Sequence, residues 1–195
     1  MAGRSGSNCG ERRHRLSFGG GFQALRASHA SQAARGPVDP ALLEAQARAR
    51  VTERPEVSFR LCDSTWERIT ERHGDAATAA DFSPAERVVV LVWTLTGIVG
   101  NGGIESLLSS DLPGDPGYLL SREAFKTIGC EAAAQALADV AALFPGNKIP
   151  GDQHLRRTLL AEHPEATRDA ISGRFFELED AITARLAEYI RKEGL

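Results

Sequence analysis

Cysteine is scarce and unpatterned in this chain: Cys9, Cys62 and Cys130 are the only three among 195 residues. The number is odd and no CxxC or Cys/His spacing links them, so neither a disulfide framework nor a zinc site is expected. A reducing compartment fits that usage, and the expected location is cytoplasmic. Cys62 and Cys130 are expected as buried, inert thiols. Aromatic residues make up only 6% of the chain. Alanine is plentiful, a balance that suits closely packed helices better than a β-sandwich. Long apolar runs are also missing. The longest, residues 88–99, has 12 residues and contains Thr94, Thr96 and Gly97. A membrane helix needs about 20, and no apolar core of a signal peptide lies near Met1. No membrane partner is expected.

Catalytic signatures are absent too. No GxGxxG, Gly-Lys-Ser/Thr or GxSxG pattern occurs, so no phosphate loop, dinucleotide cofactor or nucleophile elbow is expected. His14, His29, His73, His154 and His163 are dispersed, with no His-x-x-x-His pair. A metal site needs several converging ligands, so these are expected as surface histidines and no metal is assigned. Ser109-Ser110-Asp111 is expected in a loop. The chain reads as non-enzymatic, with no cofactor.

What is present is a charge asymmetry. The overall charge is −3. Residues 1–54 carry nine Arg and four acidic residues, net +5, whereas residues 55–195 carry 14 basic and 22 acidic residues, net −8. A basic tail is joined to an acidic domain. The sign of that domain disfavours direct nucleic-acid binding, and nine arginines spread over 54 residues form a weak patch.

Residues 1–38, rich in Gly, Ser, Ala and Arg, hold too little apolar character to offset the entropy of ordering, and are expected to be disordered. Residues 39–195 are expected to form one all-α domain. A first helix is predicted over 39–54, with Asp39 as N-cap and Pro40 in the first turn, ending before Pro55. A second covers 64–72, with Trp66 and Ile69 on one face and Gly74 as its stop. Ser83-Pro84-Ala85-Glu86 is a capping box with proline at the first helical position. It decides that the run Val88-Val89-Val90-Leu91-Val92 is a buried helix and not a strand, closing at Gly100-Asn101. Further helices are predicted over 121–128, 131–143, 152–162 and 175–192, with a Pro/Gly loop over 111–117. The last shows Phe175, Leu178, Ile182, Leu186 and Tyr189 at helical spacing. Arg191 and Lys192 suit its C-terminal dipole.

Three features occur together: the Ser-Pro-Ala-Glu-Arg start of the apolar helix, the Asn101-Gly102-Gly103 break after it, and the Ile128-Gly129-Cys130 step into an Ala-rich helix that ends Leu143-Phe144-Pro145-Gly146. In these the chain resembles the DNA-mimic-protein domain family of bacteria over roughly residues 57–190. The resemblance implies an all-α fold and a role as an acidic dimer that imitates DNA charge and occupies a DNA-binding protein. The family motif continues after the second glycine with an aromatic, a variable position, a Gln, two aromatics and later an Asn. Here those positions hold Ile104, Glu105, Ser106, Leu107, Leu108 and Ser110, which keeps apolar character and loses both amides.

Two regions are therefore candidate sites. Glu177, Glu179 and Asp180 form an acidic cluster that could face a basic protein partner, in keeping with a non-catalytic DNA mimic. Asn101, Gly102, Gly103 and Glu105 form the family-motif loop. The ordinary role of such a loop is a helix C-cap and turn. The alternative is a small-molecule or enzyme site there, with Glu105 as the acid/base. A third reading is a homodimer formed through Leu107-Leu108.

Overall fold

The computed structural model describes residues 55–195. The tail 1–38 and the helix expected over 39–54 lie outside them. Among the described residues every regular element is a helix. The all-α expectation holds.

The first described helix, α1, is Pro55–His73. It begins nine residues before the predicted 64–72 segment. Pro55 opens this helix: proline lacks the amide hydrogen that the first turn would leave unpaired, and Glu56 beside it suits the positive end of the dipole. Ser58, Cys62, Thr65 and Ile69 form its buried face. Gly74, at φ +81, closes it.

α2, Pro84–Leu108, is the central helix. Its capping box is complete. The Glu86 amide donates to Ser83 Oγ at 3.3 Å and the Ser83 amide donates to Glu86 Oε2 at 3.1 Å. By length and composition α2 could cross a membrane, yet 67% of its apolar window is buried inside the bundle. Its neighbours replace lipid. Trp66 Nε1 donates to Thr94 Oγ1 at 2.9 Å, Trp93 Nε1 donates to Asp63 Oδ1 at 3.2 Å, and the Phe59 ring meets Trp93 edge-on at 5.1 Å. These contacts fix α1 against α2.

α3 (Leu119–Thr127) and α4 (Glu131–Ala142) form a hairpin across Gly129, which sits at φ +74. Ala133, Ala134 and Ala136 on α4 are buried, and their small side chains let the helices approach closely. A short 3-10 turn, Pro145–Asn147, follows. α5 (Gln153–Ala161) begins where the Asp152 carboxylate accepts from the Leu155 amide at 2.7 Å. The longest helix, α6, is Glu165–Glu193. It starts ten residues before the predicted position. Ile171, Phe175, Ile182, Leu186 and Ile190 are its buried stripe, packed on α1, α2 and α4.

Candidate functional site

Asn101-Gly102-Gly103 does not end α2. The chain breaks there and resumes helical geometry as far as Leu108. Gly103 has φ 63 and ψ −158, a region essentially restricted to glycine. Space also requires a glycine at this position. A Cβ on Gly103 would stand 2.5 Å from Ser172 Oγ on α6. The bare backbone therefore does approach a partner closely, and the partner is the chain's own last helix. The Ile104 amide, left without a helical acceptor at the break, donates to Ser172 Oγ at 3.1 Å, and the Ser172 hydroxyl donates onward to the Arg168 carbonyl at 3.0 Å. One turn from this bond, the Arg168 guanidinium donates to the Glu105 carboxylate.

This geometry settles the fate of the motif residues. Glu105 is exposed and tied to Arg168; it lies in no apolar cleft and so lacks the setting an acid–base group needs. Asn101 is exposed at the edge of a groove. Leu107 and Leu108 are fully buried in the protomer, so the expected dimer face at these two leucines is corrected: they are committed to the core, as is Ile104. The apolar character that the family motif requires at these positions is therefore packing.

The three residues of the acidic cluster are not brought into one patch. An α-helix turns by about 100° per residue, which leaves Glu177 and Asp180 on one strip and sends Glu179 to another side. Glu177 and Asp180 are exposed, with no ion pair among the described residues. Glu179 is half-buried and borders Thr96, Val99 and Gly100 of α2. Glu165 and Asp169 extend the exposed carboxylates towards the start of α6. The cations interleaved with them are held elsewhere: Arg168 by Glu105 and Arg174 by Asp139 of α4. Arg168 is half-buried in its pair, whereas Arg174 stays exposed beside Asp139.

Sequence reasoning missed a buried polar cluster beneath the loop that follows α2. Arg156 on α5 is 0% exposed. Its Nη2 donates to Asp111 Oδ1 at 2.6 Å and to the Ser110 carbonyl at 3.1 Å, and its Nη1 donates to the Pro116 carbonyl at 3.3 Å. The guanidinium lies 5.9 Å from the Tyr118 ring centroid. Tyr118, at φ 57 despite its bulk, donates its hydroxyl to the carbonyls of Leu107 at 2.6 Å and Ser110 at 3.0 Å. Burial pushes its phenol up to about 12, more than the opposing Arg156 charge lowers it. Buried Asp115 caps α3, accepting from the amides of Leu120 and Ser121. The available signal was Arg156 itself, four residues before Leu160 on the buried face of an amphipathic helix.

The remaining candidates are structural. Cys62 and Cys130 are buried, and burial raises the Cys130 thiol. His154 is exposed as expected, whereas His73 and His163 are half-buried. His73 stacks edge-on against Phe82 at 4.8 Å, and His163 Nε2 lies 2.7 Å from the Leu143 carbonyl. His14, His29 and Cys9 lie outside the described residues. Among the described residues no three His, Cys, Asp or Glu side chains converge as a metal-binding group.

The described residues thus form an all-α bundle whose core helix is broken at a glycine pair and whose last helix carries exposed carboxylates. The chain belongs to the DMP19-like protein family: the family model matches residues 80–193, from the turn before α2 to the end of α6. No curated protein and no solved structure matches the chain.

Proposed function

We propose that this protein is a non-catalytic, acidic interaction module that acts as a DNA mimic, occupying the DNA-binding surface of a basic bacterial protein in the cytoplasm. The observation that carries this reading is the outward row on α6, Glu165, Asp169, Glu177 and Asp180, on a domain of net charge −8. Membership of the DMP19-like family supports it. Carboxylates spaced along a rigid helix offer a basic protein the field that it otherwise meets on phosphates. Such a field speeds encounter and fixes orientation. The pairing of Arg168 with Glu105 and of Arg174 with Asp139 favours the reading, since each cation beside the row is offset by a carboxylate of a neighbouring helix.

The test is affinity capture with the full chain from lysate of its own source, at low and then high salt. The reading expects a DNA-binding protein that elutes as salt screens the contact and releases its DNA when the chain is added. Recovery of only salt-resistant proteins, or a partner that keeps its DNA, would refute it.

A further inference from the structure

A groove of about 1240 Å3 lies between α1, α2 and the loop that follows α2. Thr96, Val99 and Gly100 of α2 border α6. Val90, Thr94, Ile98 and Asn101 form the floor of the groove, so it opens on a different side of the central helix. Those four residues recur at helical spacing. At about 1.5 Å per residue the stripe is roughly 16 Å long, about three turns of helix. Trp66 and Thr70 of α1 line one wall, and Ser106, Ser109 and Leu112 line the other. Trp66 already donates its indole N–H to Thr94, which leaves apolar ring surface on that wall. The volume exceeds that of an ordinary small-molecule pocket, roughly 300–1,000 Å3.

The charge on the lining has one sign and gathers at one end. Glu71, Asp75 and Asp111 border the groove, with no Lys or Arg among the lining residues. The Ala79 amide donates to the Pro113 carbonyl at 2.9 Å. That bond joins the loop after α1 to the loop after α2, so the three carboxylates stand at the same end. Asp111 is paired with Arg156. Glu71 and Asp75 are exposed, with no ion pair among the described residues.

We propose that this groove docks an amphipathic helix of a partner protein. The helix lays its apolar face along α2 and carries Lys or Arg at the end that meets Glu71 and Asp75. The floor is a single helical ridge, which a second helix covers with residues at i, i+3/i+4 and i+7. Strand addition would need an open sheet edge, and the described residues contain none. Charge selects a basic helix, because an acidic one would meet Glu71 and Asp75 with no lining cation to answer it. The groove is separate from the acidic row of α6, so either reading can fail while the other stands.

The experiment is fluorescence polarisation of the full chain with a labelled amphipathic peptide of about 14 Leu and Lys residues, beside a scrambled peptide of the same composition. The groove predicts that the amphipathic peptide binds at least roughly tenfold tighter than the scramble. Equal affinities would overturn the proposal, because charge attraction alone would then account for binding. Glu71→Lys with Asp75→Lys should weaken binding roughly tenfold, with an unchanged circular dichroism spectrum. Glu177→Lys with Asp180→Lys should leave it unchanged; an equal loss there would overturn the placement. Trp93→Phe makes Trp66 the only tryptophan, and bound peptide should slow its quenching by acrylamide severalfold. No protection at saturating peptide would refute the site. Should Trp93→Phe unfold the bundle, Val90→Glu on the half-buried floor replaces it and should weaken binding roughly tenfold. An apparent affinity that falls as protein concentration rises would mean that a second copy holds the groove, and would also overturn the proposal.

Discussion

The two faces of α6 carry opposite kinds of work. The inner face buries Ile171, Phe175, Ile182, Leu186 and Ile190, and places Ser172 where the Ile104 amide needs an acceptor. The outer face shows Glu177 and Asp180 to solvent with no cation paired to them among the described residues. Under the proposed function, stability and partner recognition sit on one helix and point in different directions. Substitutions should separate them: inner-face changes should move the unfolding midpoint, and outer-face changes should move binding alone.

The largest expected effect is at the break. Gly103→Ala requires a side chain at φ 63, ψ −158 and a Cβ 2.5 Å from Ser172 Oγ. The conformation alone costs about 1–3 kcal/mol and the crowding adds to it, so a loss of about 3 kcal/mol is expected in denaturant titration. Gly102→Ala sharpens the contrast. Gly102 sits at φ 178, open to any residue, and an added Cβ would meet the rotatable Ser106 hydroxyl and, less tightly at 3.3 Å, the Ser106 Cβ. Its cost should be about 1 kcal/mol, and Ser106→Ala should lower it further. Equal costs at the two glycines would refute the account of the break.

Next comes the buried cluster. Arg156→Leu should cost about 2 kcal/mol, because the Pro116 carbonyl loses its side-chain donor and the Ser110 carbonyl keeps only the Tyr118 hydroxyl. Asp111 is largely exposed and can be resolvated. Tyr118→Phe should cost about 1–2 kcal/mol through the Leu107 and Ser110 carbonyls. It should also change the alkaline response. Burial raises the folded phenol from its ordinary 10.0 to about 12, so its contribution is full below pH 10 and is lost as pH rises through 12. The Phe variant should flatten that part of the stability curve, measured by thermal melts from pH 9 to 12.

Ser83→Ala should cost about 1 kcal/mol as a lost N-cap. Hydrogen bonds from Ser83, aided by Arg72 and His73, hold the Glu86 carboxyl below its usual 4.5. That contribution is present above the ordinary value and is lost as pH falls through the lowered one. The variant should therefore lose less stability on acidification than the parent, as acid titration followed by circular dichroism would show.

How much of this was legible follows from which signals are local. The capping box at Ser83 and Glu86 is complete within four residues, so it identified α2 as a helix despite its strand-like valines. The break was visible as Asn-Gly-Gly, but its consequence depends on Ser172, which lies 68 residues from Ile104. Pro55 was read as a stop because proline ends one helix as readily as it starts another. The start of α6 was hidden by the charged stretch around Arg168 and by Gly173, whose spacing shows little amphipathicity before Phe175. Glu177, Glu179 and Asp180 looked like one cluster because they are neighbours in sequence; helical rotation separates Glu179 from the other two.

That separation bears on the central claim, which is that the outer face of α6 recognises a basic partner electrostatically. The smallest expected effect on stability, within about 0.5 kcal/mol, is that of Glu177→Lys with Asp180→Lys. The decisive measurement is the affinity of this double variant for the captured partner, beside the parent chain and the triple variant that adds Glu179→Lys, across a salt series. The account predicts a loss of roughly tenfold or more at low salt, shrinking as salt rises, with an unchanged unfolding midpoint and little added by Glu179→Lys. An undiminished affinity for the double variant would contradict it.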